Sequence, residues 1–288
     1  MLGWMKGWHV VGAVLMAGCA GGDSRAGGSG PSSTGDAHAP GPTEVRAAAD
    51  PAVELLVMSY NLNFGVAGDE GTIELIRAGG ADVVFLQETN APWERAIRER
   101  LSSVYPHIAF RHASRRAGGL AFLSRYPLRL EQYEESPIGW FPAWRAVVDG
   151  PLGLVQLLNL HLRPPGRDGG SYLRGYMTSQ GPRLEEARAH AALLDPSLPA
   201  IIAGDFNEDA HGRSVRFLAE RGFDSALPRF HQSAPTWRWE TPMGLVRWQL
   251  DHILTDGTLE ARAAWVMDGG ASDHLPVLAR VARRAAPR

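Results

Sequence analysis

The chain has 288 residues, of which 44% are hydrophobic and 21% charged, enough to bury a substantial core as one large domain or two small ones. A formal net charge of -2 excludes a general polyanion-binding surface, so any contact with nucleic acid would rely on local arginines. Cys19 is the only cysteine, which excludes an internal disulfide.

Residues 1–19 carry one basic side chain, Lys6, before the apolar run 10–17, which is too short to span a bilayer but suits the core of a signal peptide. Export is the first inference. The run ends Leu15-Met16-Ala17-Gly18-Cys19, which resembles a bacterial lipobox with Met16 where leucine is usual, and Cys19 would then be lipidated. The alternative is an ordinary secretory signal cut near the same small residues, leaving a secreted protein. Residues 20–52 are dominated by Gly, Ser, Ala and Pro, which cannot bury enough surface to offset their ordering entropy, and they are expected to form a flexible tether. Ala20, where aspartate would resemble an inner-membrane retention signal, favours the outer membrane. The expectation is an extracytoplasmic domain joined to a membrane through its N-terminal lipid.

The folded domain is expected over 53–283, with 284–288 as a tail. A strand at 54–60 (ELLVMSY) ends at Asn61, and a short helix is expected at 72–78. The next strand, 82–89 (DVVFLQET), delivers Glu88 to its end, where a carboxylate after four apolar residues needs water, a donor or a metal. A helix follows at 92–101, then strands at 107–111, 119–124, 145–148 and 154–162. The last carries His161 between leucines, a setting that suits a hydrogen-bonded core histidine as well as a catalyst. Residues 163–182, rich in Gly and Pro, read as the longest loop of the domain and a candidate for substrate contact. Apolar positions at helical spacing over 183–194 then predict a crossover helix.

The stretch 200–208 (AIIAGDFNE) is a buried strand that delivers Asp205 and Asn207 to the loop at its end, where α/β sheets place ligands. An Asx turn after a strand would explain these two residues equally well. A helix is expected at 214–221. Trp237, Trp239 and Trp248 crowd the approach to a strand at 249–255 carrying Asp251, and SDHLP, with Asp273 and His274, precedes a closing strand at 277–281. Irregular alternation of strands and helices favours a layered α/β sandwich over a parallel barrel.

Asn61, Glu88, His161, Asp205, Asn207, Asp251, Asp273 and His274 together provide hard oxygen ligands and two imidazoles, without a thiolate. Such a set favours Mg²⁺, with Mn²⁺ or Ca²⁺ as alternatives, over structural zinc. A hard cation flanked by histidines suits attack of water on a phosphate ester.

The ordered motifs SYNLN, LQET, NLHL, GDFNE, LDHI and SDHLP resemble the endonuclease/exonuclease/phosphatase superfamily over roughly 55–282. That group includes DNase I-like nucleases, exonuclease III-like repair enzymes, bacterial sphingomyelinases and inositol phosphatases. The resemblance implies a four-layered α/β sandwich, with two mixed sheets face to face between helices. Carried over by position, Glu88 would be the principal metal carboxylate, with Asn61 and Asp273 completing or supporting the metal site. His274 would be the general base or the phosphate-polarising imidazole, held by Asp251. Asp205 would orient or deprotonate the water, and Asn207 would stabilise the pentacovalent phosphate. His161 matches the histidine that serves as general acid in the DNase I and sphingomyelinase branches, where the exonuclease III branch has a tyrosine.

The substrate is less determined. GDFNE departs from the GDLN-type pattern of the inositol phosphatases. Arg115 and Arg116, together with Arg111 and Arg163, could grip phosphate or be solvated surface arginines. The tryptophans could stack on bases or dip into lipid, although core packing is the expectation for Trp237 and Trp248. A phosphodiesterase acting on nucleic acid is the leading expectation, with lipid or another small phosphoester as the alternative. A non-catalytic lipoprotein using the sandwich as a binding module is the reading from another class. No protein partner is implied, and a monomer is expected.

Overall fold

The computed structural model describes residues 53–113, 117–166, 172–241 and 244–285. Cys19, the expected tether, Arg115 and Arg116 lie outside the described residues. Strand β1 (Glu54–Asn61) is followed by α1 (Glu70–Gly79) and by β2 (Val83–Thr89), which pairs parallel to β1. Helix α1 starts on Asp69, whose carboxylate accepts from the Thr72 amide at 2.7 Å, and stops at Gly80, whose φ of 61° suits glycine. Helix α2 (Ala91–Leu101) starts the same way, with the Asn90 side chain accepting from the Trp93 amide at 3.0 Å and Pro92 in the first turn.

Strands β3 (His107–Arg111), β4 (Gly119–Ser124), β5 (Leu128–Glu134), β6 (Ala143–Gly150) and β7 (Gly153–His161) come next. Helix α3 (Tyr172–Ala191) crosses over to β8 (Ala200–Asp205), which pairs parallel to β7. Then come α4 (Arg213–Ala219), β9 (Asp224–Ser225), α5 (Ala226–Phe230), the paired strands β10 (Trp237–Thr241) and β11 (Gly244–Trp248), β12 (Asp251–Thr255), β13 (Leu259–Val266) and β14 (Val277–Arg283).

These strands form two six-stranded mixed sheets, ordered β13-β14-β1-β2-β4-β3 and β5-β6-β7-β8-β12-β9, with β10-β11 as a separate ribbon. Alternation of side chains decides the layering. Leu55, Val57, Val83 and Phe85 of the first sheet meet Trp144, Leu157, Ile201 and Ile253 of the second in a central core. Met58, Val84 and Leu86 point the other way, onto Ile73 and Ile76 of α1 and Trp93 and Ile97 of α2. Leu158, Leu160 and Ile202 pack on Ala187 of α3 and on Val215 and Leu218 of α4. The result is the four-layered sandwich that the resemblance implies. Each fully buried Leu, Ile or Phe contributes roughly 1.5–3 kcal/mol. Asn159 carries polar contacts across the central core: its Oδ1 accepts from Gln87 Nε2 at 2.8 Å, and its Nδ2 donates to the Leu86 carbonyl at 3.1 Å and the Ala121 carbonyl at 2.9 Å.

Three expectations are corrected. Helix α3 begins at Tyr172, so half of the expected loop 163–182 is helical and Pro182 lies inside the helix. Tertiary anchoring overrides local propensity there: the fully buried Arg183 donates to Glu208 Oε1 at 2.9 Å, to Ser179 Oγ at 2.7 Å and to the Tyr176 carbonyl at 3.0 Å. Trp248 is not a core residue but is 38% exposed. Strands β5, β10, β11 and β13 occupy stretches where the sequence reading placed no element. No helix among the described residues is long and apolar enough to cross a membrane.

Candidate active site

Because β1 and β2 run parallel, as do β7 and β8, four strand ends emerge at one edge of the sandwich. They carry Asn61, Glu88, His161 and Asp205. Antiparallel β12 starts where β8 ends, so Asp251 lies directly opposite Asp205.

The backbone at this edge is strained. Among the described residues, the non-glycine positions with positive φ are Asn63 at 56°, Glu88 at 56° and Asn207 at 52°, all beside the site. Glu88 is the extra residue of a bulge between Gln87 and Thr89, which turns its side chain out of the ladder. The bulge depends on a glycine. A Cβ on Gly119 would stand 2.0 Å from the Thr89 carbonyl oxygen.

Asn61 links the two sheets at the site. Its Nδ2 donates to Glu88 Oε1 at 3.2 Å and to Asp205 Oδ2 at 3.1 Å, while its Oδ1 accepts from the Asn63 amide at 3.1 Å. The other Glu88 oxygen accepts from the Phe64 amide at 3.2 Å. Asp273 is held at both oxygens, by Asn63 Nδ2 at 2.9 Å and Trp237 Nε1 at 3.0 Å. Ser272 Oγ donates to the Asn61 carbonyl at 2.7 Å, fixing the turn that presents Asp273 and His274.

Asp205 Oδ2 stands between two imidazoles, 3.4 Å from His161 Nε2 and 3.6 Å from His274 Nε2. Its Oδ1 accepts from the Asn207 amide at 2.8 Å. The Asn207 side chain donates one hydrogen to the Leu162 carbonyl at 3.0 Å. His274 Nδ1 lies 2.9 Å from Asp251 Oδ2, which also accepts from Thr236 Oγ1 at 2.7 Å.

The two imidazoles differ in charge. His274 is buried, which opposes its protonation, but Asp251 and Asp205 outweigh that and raise it to about 10. Burial, reinforced by the His274 charge, lowers His161 to about 3. The close approach of His161 to Asp205 is therefore not an ion pair. His161 Nδ1, 3.2 Å from the Ala117 carbonyl, must carry the proton of the neutral ring, leaving Nε2 bare toward Asp205. Burial raises Asp205 to about 7 against the pull of His274, and burial likewise raises Glu88.

All eight expected site residues thus converge, and Arg163 follows two residues after His161. Its guanidinium lies over the Trp140 ring, 5.1 Å from the centroid, and its amide donates to Glu186 Oε2 at 2.8 Å. Glu186 also accepts from Ser136 Oγ at 2.6 Å, tying the turn after His161 to the loop whose Phe141 stacks on His161 at 4.2 Å. Sequence reasoning missed Asn63, Thr236 and Glu186, and it named Trp237 only as a packing or stacking residue, not as a partner of Asp273. Only Asn63 carried a signal, as the second asparagine of SYNLN.

The donor chemistry fits a hard cation. Glu88 and Asp273 offer carboxylate oxygens, Asn61 turns its Nδ2 to Glu88 and Asp205 and offers Oδ1 as its one oxygen, and four carboxylates share this edge with His274 as the charged imidazole. Ligand atoms of Asp205, Asp251 and His274 also lie within 4.8 Å of one another, close enough to hold one ion.

The sequence matches the Endonuclease/Exonuclease/phosphatase family over residues 58–274. No curated protein matches it significantly. Among solved structures, an endonuclease/exonuclease/phosphatase from Beutenbergia cavernae is 22% identical with a TM-score of 0.66, covering 81% of this chain and 72% of that one. TDP2 from D. rerio, complexed with single strand DNA product, is 16% identical with a TM-score of 0.60, covering 79% of this chain and 98% of that one. An AP endonuclease from Archaeoglobus fulgidus is 17% identical with a TM-score of 0.59, covering 78% and 98%. At these identities the structural likeness speaks for the fold.

Proposed function

The chain belongs to the Endonuclease/Exonuclease/phosphatase family and is a hydrolase of phosphate esters, and from that premise we propose that it cleaves phosphodiesters, nucleic acid foremost. The observation that carries the reading is the Asp205 carboxylate set between a neutral His161 and a charged His274. Such an array can accept a proton and stabilise an anion at one point.

Glu88, Asn61 and Asp273 would hold a divalent cation, Mg²⁺ first and Mn²⁺ or Ca²⁺ as alternatives. When bound, it neutralises the phosphate oxygens. Asp205, titrating near neutrality, takes the proton of the attacking water as the new P–O bond forms. His274, kept charged and oriented by Asp251, donates Nε2–H to a non-bridging oxygen, and Asn207 offers it the amide hydrogen not used on Leu162. The proton passes from Asp205 to His161 Nε2 and on to the leaving oxygen as its bond to phosphorus breaks. A histidine with so low a pKa gives that proton up readily.

Nucleic acid is supported by what the similar D. rerio and A. fulgidus proteins are described as handling, and by the aromatic wall beside the site. Trp237 lies 6.0 Å from both Trp239 and Trp248, and Tyr176 lies 5.5 Å from Trp248. A lipid phosphoester is the second reading, favoured by exposed apolar side chains on the ribbon and on α3: Leu245 at 44%, Trp248 at 38% and Met177 at 60%. With it goes the proposal of an extracytoplasmic lipoprotein anchored through Cys19, supported by the lipobox-like order around that residue. Loss of membrane association in Cys19→Ser is the expected result, and unchanged association would exclude the anchor.

The test is turnover of plasmid DNA, RNA, sphingomyelin and a simple phosphomonoester with Mg²⁺, Mn²⁺ and Ca²⁺ in turn, beside Glu88→Ala and His274→Ala. Metal-dependent cleavage of DNA or RNA, abolished in both variants, is expected. Cleavage of sphingomyelin alone would replace the nucleic-acid reading, and monoester cleavage alone would overturn both.

A further inference from the structure

Asp251 and Asp273 stand on different segments, yet two consecutive residues at the root of the β10-β11 ribbon hold both. Thr236, fully buried just before β10, donates its hydroxyl to Asp251 Oδ2 at 2.7 Å. The same hydroxyl accepts from the amides of Leu250 at 2.9 Å and Asp251 at 3.0 Å. Trp237 donates its indole N–H to Asp273 Oδ2 at 3.0 Å. Backbone bonds fix the same root to the SDHLP turn, from the Leu275 amide to the Thr236 carbonyl at 2.7 Å and from the Arg238 amide to the Asp273 carbonyl at 2.9 Å. Trp237 also forms an isolated antiparallel bridge with His274.

We infer that Thr236 and Trp237 are positioning residues with separable duties, Thr236 acting through Asp251 on His274 and Trp237 acting through Asp273 on the cation site. The inference rests on the roles proposed above for Asp251 and Asp273. Its physical basis is rotational. For Asp273, held at one oxygen by Asn63 and at the other by Trp237, loss of either donor frees the carboxylate to swing about its terminal torsion, whereas Thr236 adds a second donor to the same Asp251 oxygen that faces His274 Nδ1 and so fixes that oxygen's direction. Without the Thr236 hydroxyl, Asp251 keeps only His274 as a side-chain partner, and two buried amides lose their acceptor. Without the indole N–H, Asp273 keeps only Asn63.

The experiment compares wild type with Trp237→Phe, Thr236→Val and Thr236→Ser. It measures divalent-cation affinity by calorimetry without substrate, and kcat and KM on bis(p-nitrophenyl) phosphate at saturating metal. Outer partners of metal ligands typically contribute 10–100-fold, so Trp237→Phe should weaken the cation by about 10-fold or more, and raising the metal concentration should recover most of the kcat it loses. Thr236→Val should lower kcat by about 10-fold or more with KM and cation affinity within about twofold, and Thr236→Ser should restore it. Wild-type cation affinity in Trp237→Phe, or a Thr236→Ser as impaired as Thr236→Val, would overturn the inference while leaving the catalytic reading intact. A wild type that binds no divalent cation would overturn the cation-site reading and the duty of Trp237 together.

Discussion

His274 Nδ1 and Asp251 Oδ2 lie 2.9 Å apart with both residues buried. The contact fixes which ring nitrogen faces the substrate and holds the ring charged. Replacing Asp251 by Asn removes the charge while keeping the shape. The expected result is a fall in kcat of about 100-fold, with cation affinity within about twofold, read from steady-state kinetics beside calorimetry. Equal loss of both would place Asp251 among the metal ligands, as the closeness of Asp205, Asp251 and His274 also allows.

Glu88 is the carboxylate most directly committed to the cation. Glu88→Gln retains an acceptor but loses the charge, and should weaken Mg²⁺ or Mn²⁺ binding by at least about 10-fold. The Asn61 bond to Glu88 should survive the change, so the melting temperature should move little. A folded variant with unaltered cation affinity would shift the site toward the Asp205 side.

Arg183 and Glu208 form a fully buried pair at 2.9 Å, and Glu208 also accepts from the Ser214 amide at 2.8 Å. Removing one partner leaves an uncompensated buried charge, so Arg183→Met should cost about 3–5 kcal/mol in urea unfolding. Adding Glu208→Leu should recover much of that loss, because two apolar side chains of similar volume need no pairing. Additive losses in the double variant would contradict this account.

His190, buried on α3, is lowered by burial from its ordinary 6.5 to about 4. Above the unfolded value neither state binds the proton and the group contributes no slope. Below it the unfolded chain takes up a proton that the folded chain refuses, so stability falls until the folded pKa is reached. The difference in unfolding free energy between wild type and His190→Gln should therefore change by about 1.4 kcal/mol per pH unit between about pH 6.5 and 4, to the wild type's disadvantage. Denaturant titrations at pH 7.5, 6 and 5 provide the comparison. A pH-independent difference would mean that the folded chain protonates His190 freely.

What was legible in the sequence follows the physics of strand ends. Runs such as LVMSY, VVFL and AIIA are buried on both faces, so their bounds and the polar residues just beyond them stand out: Asn61, Glu88 and Asp205. Gly119–Ser124 matches its expected bounds for the same reason, and the half-buried edge strand His107–Arg111 matches them as well. Helix α3 was half hidden because Gly175, Gly181 and Pro182 mark loops elsewhere, and only the burial of Arg183 overrides them. Strand β5 alternates as an exposed edge, and β13 is rich in alanine, so neither carries a strong pattern. Thr236 was silent, and Trp237 was read only for packing or stacking, for another reason. They are uncharged, and their importance lies in which carboxylates they reach across the fold.

The contact between Gly119 and the Thr89 carbonyl has a consequence for how activity is lost in evolution. Any side chain at Gly119 collides with the backbone that bulges to present Glu88, since a Cβ there would lie 2.0 Å from the Thr89 oxygen. Gly119 stands outside every motif that marks this chemistry. A descendant carrying alanine there would keep all six signatures, yet the Thr89 backbone would have to give way and Glu88, one residue before it, would lose its present placement. Among relatives of this chain, such inactive descendants would be told from working enzymes by that glycine, where an inventory of catalytic side chains would count both alike.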